Sequence, residues 1–139
     1  SDSFCVDRHR ESFLDLIAKY VDIVFCNESE VLSLFKKDKL ADCQGDLSSL
    51  CELVVVTLGS NGSLVINKNN LEVIKSITRG KVIDTTGAGD IFAGGFIHGL
   101  INNYSLKKCG EIGSICAGQI ITQLGSRSNI DLRELIREI

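Results

Sequence analysis

The 139 residues contain no proline, no methionine and no tryptophan, and only two histidines. Proline ordinarily supplies about 5% of a chain. Its absence together with that of an initiator methionine, in a chain that opens SDSF, predicts a fragment or processed piece. No run of about eighteen apolar residues is present, so no transmembrane helix is expected. The first residues are polar and lack the charged-then-apolar layout of a signal peptide. No CxxC pair occurs among Cys5, Cys26, Cys43, Cys51, Cys109 and Cys116. With so few histidines, a zinc site is not expected. A surplus of basic charge is also missing. The net charge of -3 gives nucleic-acid binding no electrostatic support. The expectation is a soluble, cytoplasmic protein without nucleic-acid or membrane partners, and no internal repeat or low-complexity stretch interrupts it.

The apolar share of 44% and the charged share of 24% are those of a globular domain with a real core. Several cysteines lie in apolar segments, DIVFCN and GSICAGQII, where a reduced thiol behaves as a small buried hydrophobe. A disulfide framework is the competing reading, and reduced thiols in a reducing cytosol are the expected one.

Phe13, Leu14, Leu16, Ile17 and Tyr20 recur at helical spacing and predict a helix over 8–20 with Asp7 as its N-cap. DIVFC (22–26) is short and continuously apolar, as a strand buried on both faces would be. Asn27 caps a following helix that carries Val31, Leu32, Leu34 and Phe35. The polar run 36–46 reads as surface connection, with a helical turn at 47–51. LVVVTLG (53–59) is the strongest strand, and SNGS turns into SLVIN. Lys68-Asn69-Asn70 turns into LEVIKSI, and KVIDT (81–85) reads as one more short strand. Helices are expected from Ala88 or Gly89 to about Leu100, from Leu106 to about Leu124, and from Asp131 to Ile139. Such alternation predicts a three-layer α/β/α sandwich with a mainly parallel sheet and some antiparallel strands.

The stretch VIDTTGAGDIFAGGF (82–96) has the character of a site. Asp84 ends an apolar run, Gly87-Ala88-Gly89 follows, and Asp90 stands where helical periodicity begins. The first backbone N–H groups of a helix lack partners, and the helix dipole favours an anion above them. Residues without bulk let a phosphate approach those groups closely. An acid there is poorly suited to bind an anion but well suited to accept a proton from an attacking hydroxyl. A base beside a cradle for negative charge describes phosphoryl transfer to an alcohol. A first-turn Asp stabilised by the dipole, and a Gly-Ala-Gly that is mere tight packing, explain the same residues without function. The loop is neither GxxxxGK[ST] nor GxGxxG, since GAGDIF carries Phe92 where the third glycine belongs.

DTTGAGD followed by IFAGGF resembles the second signature of the ribokinase-like (PfkB) family of carbohydrate and nucleoside kinases. NESE (27–30) resembles that family's Asn-x-x-Glu motif, and VVTLGSNGS (55–63) its nucleotide-binding strand and turn. SICAGQIITQLGSRS resembles the segment closing the nucleotide and cation sites. The resemblance spans nearly the whole chain.

It implies Asp90 as catalytic base and the N–H groups of Gly87, Ala88 and Gly89 as anion hole. It further implies Asn27 and Glu30 beside Mg²⁺, mostly through water. Alone, Asn27 and Glu30 read more readily as a helix cap with a first-turn acid. Thr57, Gly59, Gly62 and Gly89, with Asn27, match positions that meet ATP, and Ser114 one beside the adenine or ribose. Asp84, Thr86 and Gly125 match a site for a monovalent cation such as K⁺, with Gln123 and Asn129 nearby. Asp84 can cap the loop through backbone N–H groups at the same time. Gly94 and Gly95 are expected to let their helix lie close to the sheet, and His9 and His98 to be surface or packing residues.

The family's substrate pocket, lid strands and first glycine signature have no counterpart in these residues. The resemblance therefore implies the C-terminal, nucleotide-binding part of one longer kinase domain, inactive alone. Such a piece would expose sheet edge and apolar surface. Its partners would be ATP, a small sugar or nucleoside (adenosine favoured, ribose or fructose open), the missing N-terminal half, and a second subunit joined through the lid. A non-catalytic module that senses adenine nucleotides is the alternative, against which Asp90 speaks.

Overall fold

A computed structural model describes residues 3–68 and 70–137. They form two compact units: Ser1–Leu58 with Leu64–Glu72, and Gly59–Ser63 with Val73–Ile139.

The first unit opens with two helices where the sequence predicts one. Helix α1 (Ser3–Arg8) contains Asp7, which is therefore not an N-cap, and His9 breaks the helix with φ -118 and ψ 25 before α2 (Arg10–Tyr20). Val6 and Ile17 anchor them to the core. Strand β1 (Ile23–Asn27) leads directly into α3 (Glu28–Phe35). The polar run 36–46 is more structured than expected. It forms a 3₁₀ turn (Leu40–Cys43) that passes into α4 (Gln44–Leu50), because Cys43, at 0% exposure, is a core residue within it and Leu40 packs against the same core. The helical turn expected at 47–51 falls largely within α4. Strand β2 (Leu53–Thr57) pairs in parallel with β1, from Ile23 opposite Leu53 to Asn27 opposite Thr57. Strands β3 (Ser63–Asn67) and β4 (Asn70–Ile74) complete a sheet ordered β1-β2-β3-β4 among the described residues. Their connections are far shorter than the dozen or so residues a parallel crossover needs. Of the anticipated 68–70 turn, Lys68 takes the left-handed conformation (φ 51), and Asn69 lies outside the described residues. The core gathers Val6, Ile17, Val31, Leu34, Leu47, Val54 and Ile66.

The second unit is built on α5 (Ala88–Ile101) and α6 (Leu106–Ile120), with α7 (Leu132–Ile136) after them. Helix α6 stops four residues before Leu124, which is 81% exposed at the surface of a turn. Asp131 caps α7 by accepting from the Arg133 N–H, and Ile139, the anticipated end of that helix, lies outside the described residues. The two long helices approach through small residues. A Cβ on Gly95 would lie 3.0 Å from the Gly113 Cα, and one on Gly99 3.0 Å from the Cys109 Cα. This corrects the glycine expectation: Gly95 serves helix–helix contact within the unit, while Gly94 is exposed and a Cβ there would meet nothing. KVIDT is not a strand. Residues 81–85 belong to no helix or strand, and the Ile83 and Asp84 N–H groups both donate to the Ile121 carbonyl at the end of α6. No helix among the described residues is long and apolar enough to cross a membrane.

Candidate active site

The glycine loop of the second unit sits at the start of α5. Gly87 takes φ 76, a left-handed conformation, and gives the helix no side-chain cap. A side chain there would also run into Ser126, whose Cα lies 3.2 Å from the position of a Cβ. Both constraints demand glycine. The Ala88 N–H donates to the Thr85 carbonyl at 3.2 Å. The Gly89 and Asp90 amides fall in the first turn, where no carbonyl lies four residues back inside the helix. Asp90 is exposed, on that same turn.

Asp84 holds the loop from beneath. Its Oδ1 accepts from the Thr86 N–H at 2.9 Å and the Thr86 hydroxyl at 2.7 Å, and its Oδ2 from the Gly125 N–H at 2.9 Å. The Thr86 hydroxyl first, then the two amides, keep the carboxyl below its ordinary range and so ionised. Gly125 (φ 82) belongs to the 121–130 turn, which Gln123 closes. The Gln123 Nε2 donates to the Arg127 carbonyl at 2.5 Å, and its Oε1 accepts from the Asn129 N–H at 3.2 Å. Asp84, Thr86, Gly87, Gly125, Gln123 and Asn129 are thus tied into one pair of loops. Ser126, which fixes the floor under Gly87, was not singled out from the sequence. Its only signal is its place directly after a glycine in LGSRS.

The first unit gathers Asn27, Glu30 and Thr57 at the carboxyl ends of β1 and β2, where α/β sheets commonly bind ligands. Asn27 and Glu30 form a complete capping box. The Asn27 Oδ1 accepts from the Glu30 N–H at 2.9 Å, and the Glu30 Oε2 from the Asn27 N–H at 2.9 Å. Glu30 is buried, at 8% exposure. The Thr57 hydroxyl donates to the Cys26 carbonyl at 3.4 Å. Among the described residues, no group of three or more His, Cys, Asp or Glu side chains is assembled as a metal site.

Gly59 and Gly62, of the second unit, bracket a 3₁₀ turn in which the Gly62 N–H donates to the Gly59 carbonyl at 3.1 Å. Gly62 (φ 91) lies against the backbone of Ile74 and Ser76, so a side chain is excluded there as well. Ser63, next in sequence, buries a hydroxyl that has no hydrogen-bond partner. Ser114 is buried on α6. Its hydroxyl donates to the Lys75 carbonyl at 3.0 Å and accepts from the Ile77 N–H at 3.0 Å. Both functions are taken by the chain itself. His9 and His98 are exposed, and the His98 carbonyl accepts from the Asn102 side chain at 2.8 Å.

In chemical terms, the second unit offers first-turn amides over a rigid glycine floor, an ionised brace below it and an exposed carboxylate beside it. That set can receive a phosphate and take a proton from a hydroxyl nearby.

Residues 2–133 match the pfkB family of carbohydrate kinases. A probable sugar kinase from Rhizobium etli superposes with a TM-score of 0.96 at 40% identity, over 99% of this chain and 42% of its own. Adenosine kinase from Sinorhizobium meliloti gives 0.96 at 38% identity, again over 99% and 42%. An uncharacterized sugar kinase from Archaeoglobus fulgidus is 33% identical over 117 residues, 84% of this chain and 46% of that protein. The chain spans less than half the length of each of these relatives. The fold is accordingly ribokinase-like α/β.

Proposed function

The chain belongs to the pfkB family of carbohydrate kinases, and from that premise we propose that residues 1–139 are the nucleotide-binding, C-terminal part of a single kinase domain. The substrate and lid portion lies outside these residues. The longer protein moves the γ-phosphoryl of ATP to a hydroxyl of a small sugar or nucleoside. The observation that carries this reading is the loop at the head of α5: Gly87 floored by Ser126, Asp84 bound on three sides, Asp90 exposed in the first turn.

Asp90 takes the proton of the acceptor hydroxyl. The acceptor oxygen bonds to the γ-phosphorus as the bond to the β–γ bridging oxygen breaks, and ADP leaves with that electron pair. Amides of Gly87 and Gly89 offset the charge that builds on the phosphoryl oxygens, while that of Ala88, expected beside them, donates to the Thr85 carbonyl. Thr57, Gly59 and Gly62 meet the nucleotide mainly through backbone, and Ser114 lies beside its adenine or ribose. Asn27 and Glu30 suit Mg²⁺ held through water, being hard oxygen donors already fixed by their capping box. When bound, Mg²⁺ neutralises charge on the ATP phosphates. Asp84, Thr86 and Gly125 suit a monovalent cation such as K⁺, since the Asp84 carboxyl is held ionised.

Adenosine or a ribose-type sugar is the favoured acceptor, supported by the likeness to an adenosine kinase and a probable sugar kinase. The 139 residues alone are inactive, because most of the acceptor's binding groups lie elsewhere. The complete enzyme is cytoplasmic, with a homodimer formed through its lid. A non-catalytic sensor of adenine nucleotides would use the same loop but has no need of an acid at position 90.

The test is Asp90→Asn in the full-length protein, with ATP, Mg²⁺ and a panel of adenosine, other nucleosides, ribose and fructose, with and without K⁺. ATP binding should persist while kcat falls on the order of 1,000-fold. Near-normal turnover would remove Asp90 as the base. Tight ATP binding by the wild type with no turnover on any acceptor would favour the sensor.

A further inference from the structure

We propose that Ser114 is a positioning residue for the nucleotide: its hydroxyl pins the backbone of Lys75 to Ile77, and through that backbone fixes the Gly59–Gly62 turn, without bonding to ATP itself. This rests on reading that turn as part of the ATP site, and it gives Ser114 an indirect role there.

A serine inside a helix ordinarily turns its hydroxyl back to the carbonyl four residues earlier, or out to solvent. Ser114, 7% exposed and well inside α6, does neither. It donates to the Lys75 carbonyl and accepts from the Ile77 N–H, both at 3.0 Å, across sequence separations of 39 and 37 residues. That stretch needs such a partner. Strand β4 ends at Ile74, and residues 75–79 belong to no helix or strand. In a parallel ladder one residue would bond a carbonyl and the N–H two positions further on. The Ser114 hydroxyl, donor and acceptor in a single group, does the same for Lys75 and Ile77.

Small residues one turn away on either side bring α6 close enough. A Cβ on Gly110 would lie 2.6 Å from the Ile74 Cγ1, and one on Gly118 would lie 2.9 Å from the Ile77 carbonyl carbon. The helix thus meets residues 74–77 at Gly110, Ser114 and Gly118, and of these only Ser114 has a side chain to bond with. The same stretch also backs the turn. Gly62 packs against the Ile74 carbonyl and against the Ser76 nitrogen, which would lie 2.9 Å from a Cβ there. Ser114 and Gly62 therefore grip alternate groups of one short stretch, all within a single compact unit. Close backbone packing passes a displacement on directly, because no flexible side chain stands between to absorb it. Loss of the hydroxyl leaves the Lys75 and Ile77 groups unpaired and lets the stretch shift. The turn that Gly62 closes, by donating to the Gly59 carbonyl at 3.1 Å, loosens with it.

The test compares Ser114→Ala and the near-isosteric Ser114→Cys with the wild type in the full-length protein, at a temperature where the folded state dominates. Calorimetry with ATP and Mg²⁺ should find Kd raised about tenfold in Ser114→Ala, while kcat at saturating ATP stays within about twofold. Exchange of the Gly62 amide should quicken at least about tenfold, with the amides of Phe92 and Phe96 in α5 unchanged as the internal standard. Ser114→Cys keeps the shape and weakens the bonds, so it should move both readouts in the same direction, and it decides the matter if Ser114→Ala does not fold. A melting temperature that falls while Kd stays put makes Ser114 structural only and overturns the proposal. So does a raised Kd with the Gly62 amide unmoved, which assigns the hydroxyl to ATP directly. A quickened Gly62 amide in a protein whose wild type binds no ATP keeps the clamp on the turn and sinks the kinase reading. Turnover on a sugar or nucleoside with both readouts unmoved does the opposite.

Discussion

Asp84 shows how much one side chain organises. Three donors converge on its two oxygens, one of them 41 residues away in sequence. Hydrogen bonds to the charged form depress a carboxyl's pKa, so the folded value lies below the ordinary 3.8. The sign of the linkage follows. The stabilisation is complete above the unfolded-state value and is lost as pH falls through the folded one. An NMR titration should therefore find the Asp84 midpoint below 3.8, with the Gly125 amide shifting in step. A Gly125 amide indifferent to that titration would show that the two loops are not joined through this carboxylate. Of the site's residues, Asn27 and Glu30 were the most legible, because N-x-x-E is a local pattern with a local cause, the capping box. The brace between Asp84 and Gly125 has no such local pattern. Nothing nearby in sequence reports which distant amide a carboxylate will find, and the family resemblance supplied both names.

At the level of the element, the pair α5 and α6 depends on where a methyl group can fit. Alanine replaces glycine in a helix with a gain of roughly 1 kcal/mol, while overpacking a tight contact costs about 1–3 kcal/mol. At Gly94 a Cβ meets nothing within 4 Å, so only the gain applies. At Gly95 it would lie 3.0 Å from the Gly113 Cα, a backbone atom that cannot step aside without moving α6. Gly94→Ala should raise the midpoint of chemical unfolding and Gly95→Ala should lower it. Equal effects at the two positions would contradict the helix contact. Adjacent glycines look alike in sequence, which is why both were assigned to packing. KVIDT misled for a related reason. Its apolar residues suit a strand, but a strand needs a neighbour's edge, and here Ile83 and Asp84 donate instead to the Ile121 carbonyl. The run 36–46 was read as loop from its polarity, yet Cys43 is 0% exposed and Leu40 packs against the core. One well-placed core residue outweighed the average of the segment.

The whole molecule is marked by thiols held away from water. Burial raises the pKa of Cys26 to about 12, with smaller additions from Glu30 and Cys51, and raises those of Cys43, Cys51, Cys109 and Cys116 above 9.0. A raised pKa stabilises the fold fully below the unfolded value, and that contribution is lost as pH rises through the folded one. The melting temperature should thus decline from pH 9 toward about 12, and Cys26→Ala should make the decline shallower. A slope unchanged by Cys26→Ala would mean that this thiol ionises as readily folded as unfolded. The reading of cysteines in DIVFCN and GSICAGQII as small hydrophobes matches this, since Cys116 is 2% exposed and Cys26 packs partly buried against the core.

The tie between Asp84 and Gly125 also sets an order of events in time. The segment it closes contains both long helices of its unit, and the pairing of α5 with α6 is what brings its ends together. Closing so long a segment costs entropy that the one hydrogen bond across it, on a surface carboxylate, does not repay alone. The glycine floor is therefore among the last parts of this unit to assemble during folding, and among the first to dissolve when the helices part.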